Sequence, residues 1–167
     1  MTEPTTTPLR MWEREIAPSL PWADVRRQLE EAEVYWLVSV GRRGVPLPRP
    51  VWGVWLDDRL LLSVGSTSHW NAIPAHADVA VHLGDPLAVV IVEGRAQRAA
   101  GEDGLFQRFV DAYNPKYAWS FDPAEDMVVN GVIEVVPDKV LAWTTVPVEA
   151  CTPSMTFPTA GGRWTFG

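Results

Sequence analysis

Residues 34–83 read VYWLVSVGRRGVPLPRPVWGVWLDDRLLLSVGSTSHWNAIPAHADVAVHL. Val34–Val40 is dense in β-branched and aromatic residues and is a strand by composition. Arg42-Arg43-Gly44 is a turn. Pro46, Pro48 and Pro50 then punctuate an extended segment; each lacks a ladder donor, so this piece belongs at a strand start or a sheet edge. Val51–Leu56 is a second strand, Asp57-Asp58 a hairpin turn, and Arg59–Val64 the returning third. A short polar segment, 66–76, follows as a brief helix, and Val79–Leu83 alternates as a fourth strand. That order builds a small antiparallel barrel with a hydroxyl-rich loop at its mouth, a setting that suits a phosphate group.

Outward from this block the pattern holds. Pro21–Glu33 has Trp22, Val25, Leu29 and Ala32 at helical spacing, with Arg26, Arg27, Glu30 and Glu31 on the outer face. Leu87–Arg98 is a long strand with a bulge expected at Gly94. Gly101–Tyr113 is an amphipathic helix that Asn114-Pro115 is expected to stop. Gly131–Val136 and Val140–Thr145 are expected to form a hairpin around Pro137-Asp138, and the tail from Pro147 to be irregular. The expected fold is mainly β (α+β): an antiparallel split β-barrel of Greek-key type, with six to seven strands and two to three peripheral helices. Residues 1–20 are expected to be a flexible arm and residues 21–167 a single domain.

Composition narrows the function. The chain has 167 residues, enough for one domain with a real core. Its formal net charge is −7 and no basic stripe is visible, which disfavours nucleic acid as a partner. No apolar run is long enough to span a membrane. Cys151 is the only cysteine, so neither an internal disulfide nor a Cys-rich zinc site is available, and a cytoplasmic setting is the simplest reading. The histidines, His69, His76 and His82, have no metal-ligand spacing, and no metal is expected. Nine tryptophans are many for this length, and some are expected to serve a ligand or a partner subunit.

The block Tyr35-Trp36-Leu37, Gly44-Val45-Pro46, Arg49-Pro50-Val51-Trp52 and Val54-Trp55 resembles the pyridoxamine 5′-phosphate oxidase-like family of FMN-binding split β-barrels. Val79–Leu83, Ile91-Val92-Glu93-Gly94, Ala112–Tyr117 and Arg163-Trp164-Thr165-Phe166 agree with it in order. The nearest branch by these motifs is the actinobacterial flavin or deazaflavin oxidoreductases. The resemblance implies a homodimer with the cofactor, FMN or coenzyme F420, in a groove between subunits. It implies hydride transfer between that ring and a small organic substrate, with the protein supplying binding and orientation. No catalytic side chain is expected. The alternative is a non-catalytic split barrel that binds a flavin, a haem or a hydrophobic metabolite.

The same resemblance assigns the cofactor contacts. Arg49 is placed to bind a phosphate or a ring carbonyl, on the strand that continues as Pro50, Val51 and Trp52; its structural alternative is an edge-strand arginine in solvent. Ser66, Thr67 and Ser68 occupy the family's phosphate loop, where hydroxyls and helix N-terminal amides suit an anion, although Ser68 or Thr67 serves equally as a helix cap. His69 stands where the family commonly has Lys or Arg, and a neutral imidazole grips phosphate less firmly at pH 7. Trp70 can stack on a ring; Asn71 or Ala72 takes the place of a family asparagine. Lys116, between Tyr113 and Tyr117, can meet an acidic cofactor tail or be a surface lysine. Arg163 and Trp164 match the family's terminal motif, with Trp164 either at the groove or anchoring the dimer interface.

Overall fold

The computed structural model describes residues 4–11, 14–16, 18–41, 43–65, 73, 77–145 and 160–166. Six antiparallel strands close a barrel: β4 (Tyr35–Val40), β5 (Pro46–Leu56), β6 (Arg59–Ser63), β7 (Asp78–His82), β8 (Ala88–Arg98) and β9 (Val132–Thr144). Their order is β9-β6-β5-β4-β7-β8, and β8 returns to β9. β9 is the hinge of the architecture. One edge pairs with β8 along its whole length; the other is divided between β6, at Val132–Val135, and β10 (Ala160–Thr165), at Lys139–Thr144. This is the split barrel that the strand spacing predicts.

Local chemistry explains the elements. The Asp57-Asp58 turn has φ of 52° and 58°, the left-handed pair that matches the twist of a tight two-residue hairpin. Pro46, Pro48 and Pro50 alternate along β5 opposite Val40, Val38 and Trp36 of β4. Their missing donors therefore all lie on the side away from β4, where β6 does not reach: β6 pairs only from Trp52 onward. The edge expected from the prolines is thus a half-edge inside a central strand.

The barrel interior is one apolar cluster that includes Leu37, Leu60, Leu62, Val81, Val92, Ile133 and Trp164. Helix α1 (Trp22–Glu31) caps it with Val25 and Leu29. A second cluster lies outside the barrel, where α2 (Leu105–Tyr117) sets Leu105, Phe109, Val110 and Tyr113 against Val54 and Leu61. Helix α3 (Asp126–Val129) adds Val128 to it. No helix among the described residues is long and apolar enough to cross a membrane.

Four expectations need correction. Helix α2 does not stop at Asn114-Pro115 but runs to Tyr117. Asn114 instead uses its amide to bond both the N–H and the C=O of Phe121, and Tyr113 and Tyr117 are held by packing. Residues 131–145 are not a hairpin: β9 is continuous through Pro137, which pairs with Gly94 where the register slips, Asp138 of β9 being the extra residue of the bulge. A proline beside the extra residue, where the ladder is already locally disrupted, is readily accommodated. The tail is not wholly irregular, since β10 pairs with β9. Part of the arm expected to be flexible is also paired: β1 (Thr5–Thr7) adds to β10, and β2 (Leu9–Met11) and β3 (Arg14–Ile16) form a hairpin.

Candidate functional site

On β5, strand alternation sends Pro50 and Trp52 to the outer face and Arg49 and Val51 to the inner one. The register confirms this, pairing Pro50 with half-exposed Trp36 and Arg49 with buried Leu37. Where β6 fails to cover β5, a pocket of about 300 Å³ opens, lined among the described residues by Val34, Pro50, Val51, Trp52, Ser63, Val64 and Tyr113. Its volume lies at the lower end for small-molecule sites. Arg49, one residue before Pro50, is exposed, and its Nη1 donates to the Pro48 carbonyl at 2.8 Å.

Helix α2 supplies the back wall. Tyr113 and Tyr117 fall on one face, four residues apart, with ring centroids 4.6 Å apart. Burial pushes the Tyr113 phenol up, opposed by its hydrogen bond with Ser63. Trp52 lies flat on Tyr117, and its indole is still 46% exposed. The Tyr117 hydroxyl accepts from the Gly53 amide at 3.1 Å and lies 2.9 Å from the carbonyls of Gly53 and Glu33. Burial first of all pushes its pKa up to about 12. The phenol is therefore neutral and able to donate throughout the physiological range.

Lys116 is turned away from the pocket. Its ammonium donates to the Glu30 carbonyl at 3.0 Å and to Tyr35 Oη at 3.1 Å, and it lies 5.1 Å and 5.6 Å from the Tyr35 and Tyr117 rings. Desolvation lowers its pKa to about 8, partly offset by Glu33. Tyr35 in turn donates to the Leu29 carbonyl at 2.5 Å, and burial holds its phenol far above the usual tyrosine range. Lys116 thus ties α2 to the C-terminal end of α1, where last-turn carbonyls favour a cation.

The structure gathers Pro50, Val51 and Trp52 at the pocket, while Arg49, adjacent in sequence, is exposed and is not among its lining residues. Ser66, Thr67, Ser68, His69, Trp70, Asn71 and Ala72 lie outside the described residues. Ser63 and Val64, which precede them, form one pocket wall. Arg163 is elsewhere, on β10, lining hollows of about 650 and 540 Å³ that share Lys139 and Thr165 with it. Trp164, expected at the groove or the interface, is fully buried in the barrel core against Trp22, 5.6 Å away. The alternation of β10 explains the difference, since neighbours on a strand face opposite sides. Sequence reading missed Ser63 and Trp119 altogether. The Tyr113/Tyr117 spacing was visible, but a helix ending at Tyr113 hides it.

The described residues contain no group of His, Cys, Asp or Glu fit to hold a metal ion. The family model for pyridoxamine 5′-phosphate oxidase matches residues 22–144. A search of curated proteins found no match. Among solved structures, the chain is similar to a conserved hypothetical protein from Mycobacterium tuberculosis at 17% identity and TM-score 0.64, covering 86% of this chain and 96% of that one. It is similar to a FAD-binding protein from Mesorhizobium loti at 15% identity and TM-score 0.58, covering 88% and 96%. An F420 reductase matches at 20% identity and TM-score 0.53, covering 68% and 94%. These likenesses concern the fold.

Proposed function

The chain belongs to the pyridoxamine 5′-phosphate oxidase family, and on that premise we propose that it is a flavin- or deazaflavin-dependent oxidoreductase. The observation that carries this reading is the pocket at the gap in β5, walled by a half-exposed Trp52 that Tyr117 supports from behind, with an exposed Arg49 next to Pro50 in sequence. A flat ring needs a flat apolar wall, and Trp52, Pro50 and Val51 provide one. An anionic tail needs a guanidinium, and Arg49 forms no ion pair among the described residues. The described residues fit a flavin-type group on both counts.

When bound, FMN or coenzyme F420 would supply the hydride chemistry, with a small organic molecule as its partner. The protein's own part is binding and orientation. Trp52 would offer the ring a flat wall, Arg49 would hold negative charge, and the Ser63–Tyr113 pair gives the inner wall a polar edge. The pocket is small for a whole nucleotide, and in the proposed homodimer a second subunit would cover the remainder of FMN or F420. A homodimer in the cytoplasm is the setting proposed.

The test is a separate titration of purified protein with FMN and with F420, followed by cofactor fluorescence and equilibrium dialysis. Micromolar binding of either supports the reading. No binding of either at ~100 µM, where even weak specific sites are partly filled, overturns it. Bound cofactor that no reductant or organic acceptor can turn over would favour a non-catalytic carrier instead.

A further inference from the structure

The inner wall of the pocket carries one residue out of keeping with its place. On β6, alternation puts Ser63 on the same face as Leu61, which packs into the apolar cluster under α2. The pattern of that face calls for another apolar side chain, and a hydroxyl stands instead. The register sets Ser63 directly opposite Trp52 of β5, so the two Cβ atoms are roughly 5 Å apart. Both residues line the pocket, and among its described lining residues only Ser63 and Tyr113 carry a hydroxyl.

Each part of this wall is fixed. Val64 and Gly65, next after Ser63, both donate their amides to the Gly131 carbonyl, at 2.9 and 3.1 Å. Tyr113 is buried and wedged among Phe109, Tyr117 and Phe121, with centroids 4.9, 4.6 and 5.6 Å away. Its hydroxyl bonds Ser63. Trp52 has Tyr117 stacked on it and Trp119 against it edge-on, at 6.4 Å and 67°. Two hydroxyls hold two O–H donors, and the bond between them uses one. The other is left for a guest, beside an indole wall that suits a flat one. Ser63, the more exposed of the pair, is the one that meets it.

We infer that Ser63, held in place by Tyr113, donates to a ring carbonyl of the cofactor, so that the flat ring enters this pocket by its carbonyl-bearing edge while the charged tail stays outside. Ser63 is then the specificity-determining contact and Tyr113 its positioning residue. The inference rests on the pocket being the flavin or deazaflavin site. FMN and F420 share that edge, a pyrimidinedione, so the contact serves either. A ring lacking the carbonyl leaves the donor desolvated and unpaired, and that penalty is what makes a hydroxyl selective.

Lumiflavin, the flavin ring without its tail, is the probe, titrated against the full chain by fluorescence quenching alongside FMN and F420. Ser63→Ala should bind it about tenfold more weakly, and Ser63→Thr, which keeps the hydroxyl, should recover most of the loss. Two lumiflavin analogues each carry sulfur, a weak acceptor, in place of one carbonyl oxygen. One of them should bind the unsubstituted protein about tenfold more weakly than lumiflavin and be indifferent to Ser63→Ala. In infrared difference spectra the carbonyl band of the bound ring should move to higher frequency in Ser63→Ala and broaden in Tyr113→Phe, changes that altered packing alone does not produce. If Ser63→Ala does not fold, the two sulfur analogues decide on the unsubstituted protein. Equal lumiflavin binding with and without the Ser63 hydroxyl, or equal binding of lumiflavin and both analogues, overturns the inference. Binding of FMN or F420 in that case leaves the oxidoreductase reading standing; a protein that binds none of the three defeats both.

Discussion

Trp52 lies on Tyr117 with ring centroids 5.1 Å apart and planes only 11° apart. The two residues come from β5 and α2, so this stack fixes how the helix meets the barrel at the pocket. The Tyr117 hydroxyl secures the same junction by bonding the main chain of Gly53, next to Trp52. Gly53 has no room for a side chain, because a Cβ would meet the Leu61 carbonyl at 2.5 Å.

Tyr117→Phe keeps the stack and leaves the Gly53 amide short of its acceptor. It should cost about 1–3 kcal/mol, read as a lower urea midpoint, with cofactor affinity nearly unchanged. Tyr117→Leu removes the stack as well and should also weaken cofactor binding severalfold. If the two variants bind cofactor equally well, Tyr117 does not orient Trp52.

What the sequence displayed, and what it hid, divides along local and non-local physics. The hairpin at Asp57-Asp58 and the helix at Trp22–Glu31 were legible because each rests on residues near in sequence; the irregularity expected at Gly94 is there, but its extra residue is Asp138 on β9. The continuity of β9 was hidden: Pro137 looks like a turn until it is placed opposite Gly94, more than forty residues earlier. β10 was hidden for the same reason, since its glycines read as loop. Gly162 is in fact required there, because a Cβ would meet the Trp164 ring at 2.7 Å. At the site, the Pro50-Val51-Trp52 strand was legible by its motif. Trp119 was not, because its meaning depends on Asn114 turning the chain back through Phe121.

Gly94→Ala tests the bulge. The added Cβ would lie 2.2 Å from the Val136 carbonyl and 2.9 Å from Pro137 Cα, both main-chain atoms that cannot step aside. A loss of about 1–3 kcal/mol, or failure to fold, is expected. A melting temperature within a degree of the parent would show that the β8–β9 contact is looser than the register implies.

Asp58→Gly should act in the opposite direction. Asp58 holds φ of 58°, a conformation that glycine adopts without a Cβ penalty. Asp57 is left in place because it pairs with Arg108 at 3.4 Å. A gain of about 0.5–1 kcal/mol is expected, seen as a higher urea midpoint with an unchanged slope. A loss of stability would mean that the Asp58 side chain contributes more than its backbone strain costs.

The Lys116 contacts predict a pH dependence. Its pKa is about 8 in the folded chain and near 10.5 when unfolded, so between these values the unfolded state binds more protons. Stability therefore rises with pH from about 8. Tyr35 and Tyr117 have raised pKa values and oppose this above about pH 10, where the unfolded state loses protons first. Urea midpoints should climb from pH 7.5 to 9.5 and then fall. In Lys116→Met the climb should vanish while the fall remains; a climb that persists assigns it to another group.

Arg49→Ala bears most directly on the cofactor. The guanidinium is exposed, donates to the neighbouring Pro48 carbonyl, forms no ion pair among the described residues and packs in neither apolar cluster. Truncating it should change stability by no more than ~0.5 kcal/mol, as for surface positions lacking special contacts. Charge-assisted bonds to a phosphate or a ring carbonyl are stronger than neutral ones, so FMN or F420 affinity should fall roughly tenfold or more. Arg49→Lys restores the charge but not the fork, and partial recovery is expected if the contact is a phosphate. Full recovery would point to simple charge attraction, and unchanged affinity in Arg49→Ala would remove Arg49 from the site. Measuring all three proteins at two salt concentrations separates these cases, because attraction through solvent is screened and a bound fork much less so.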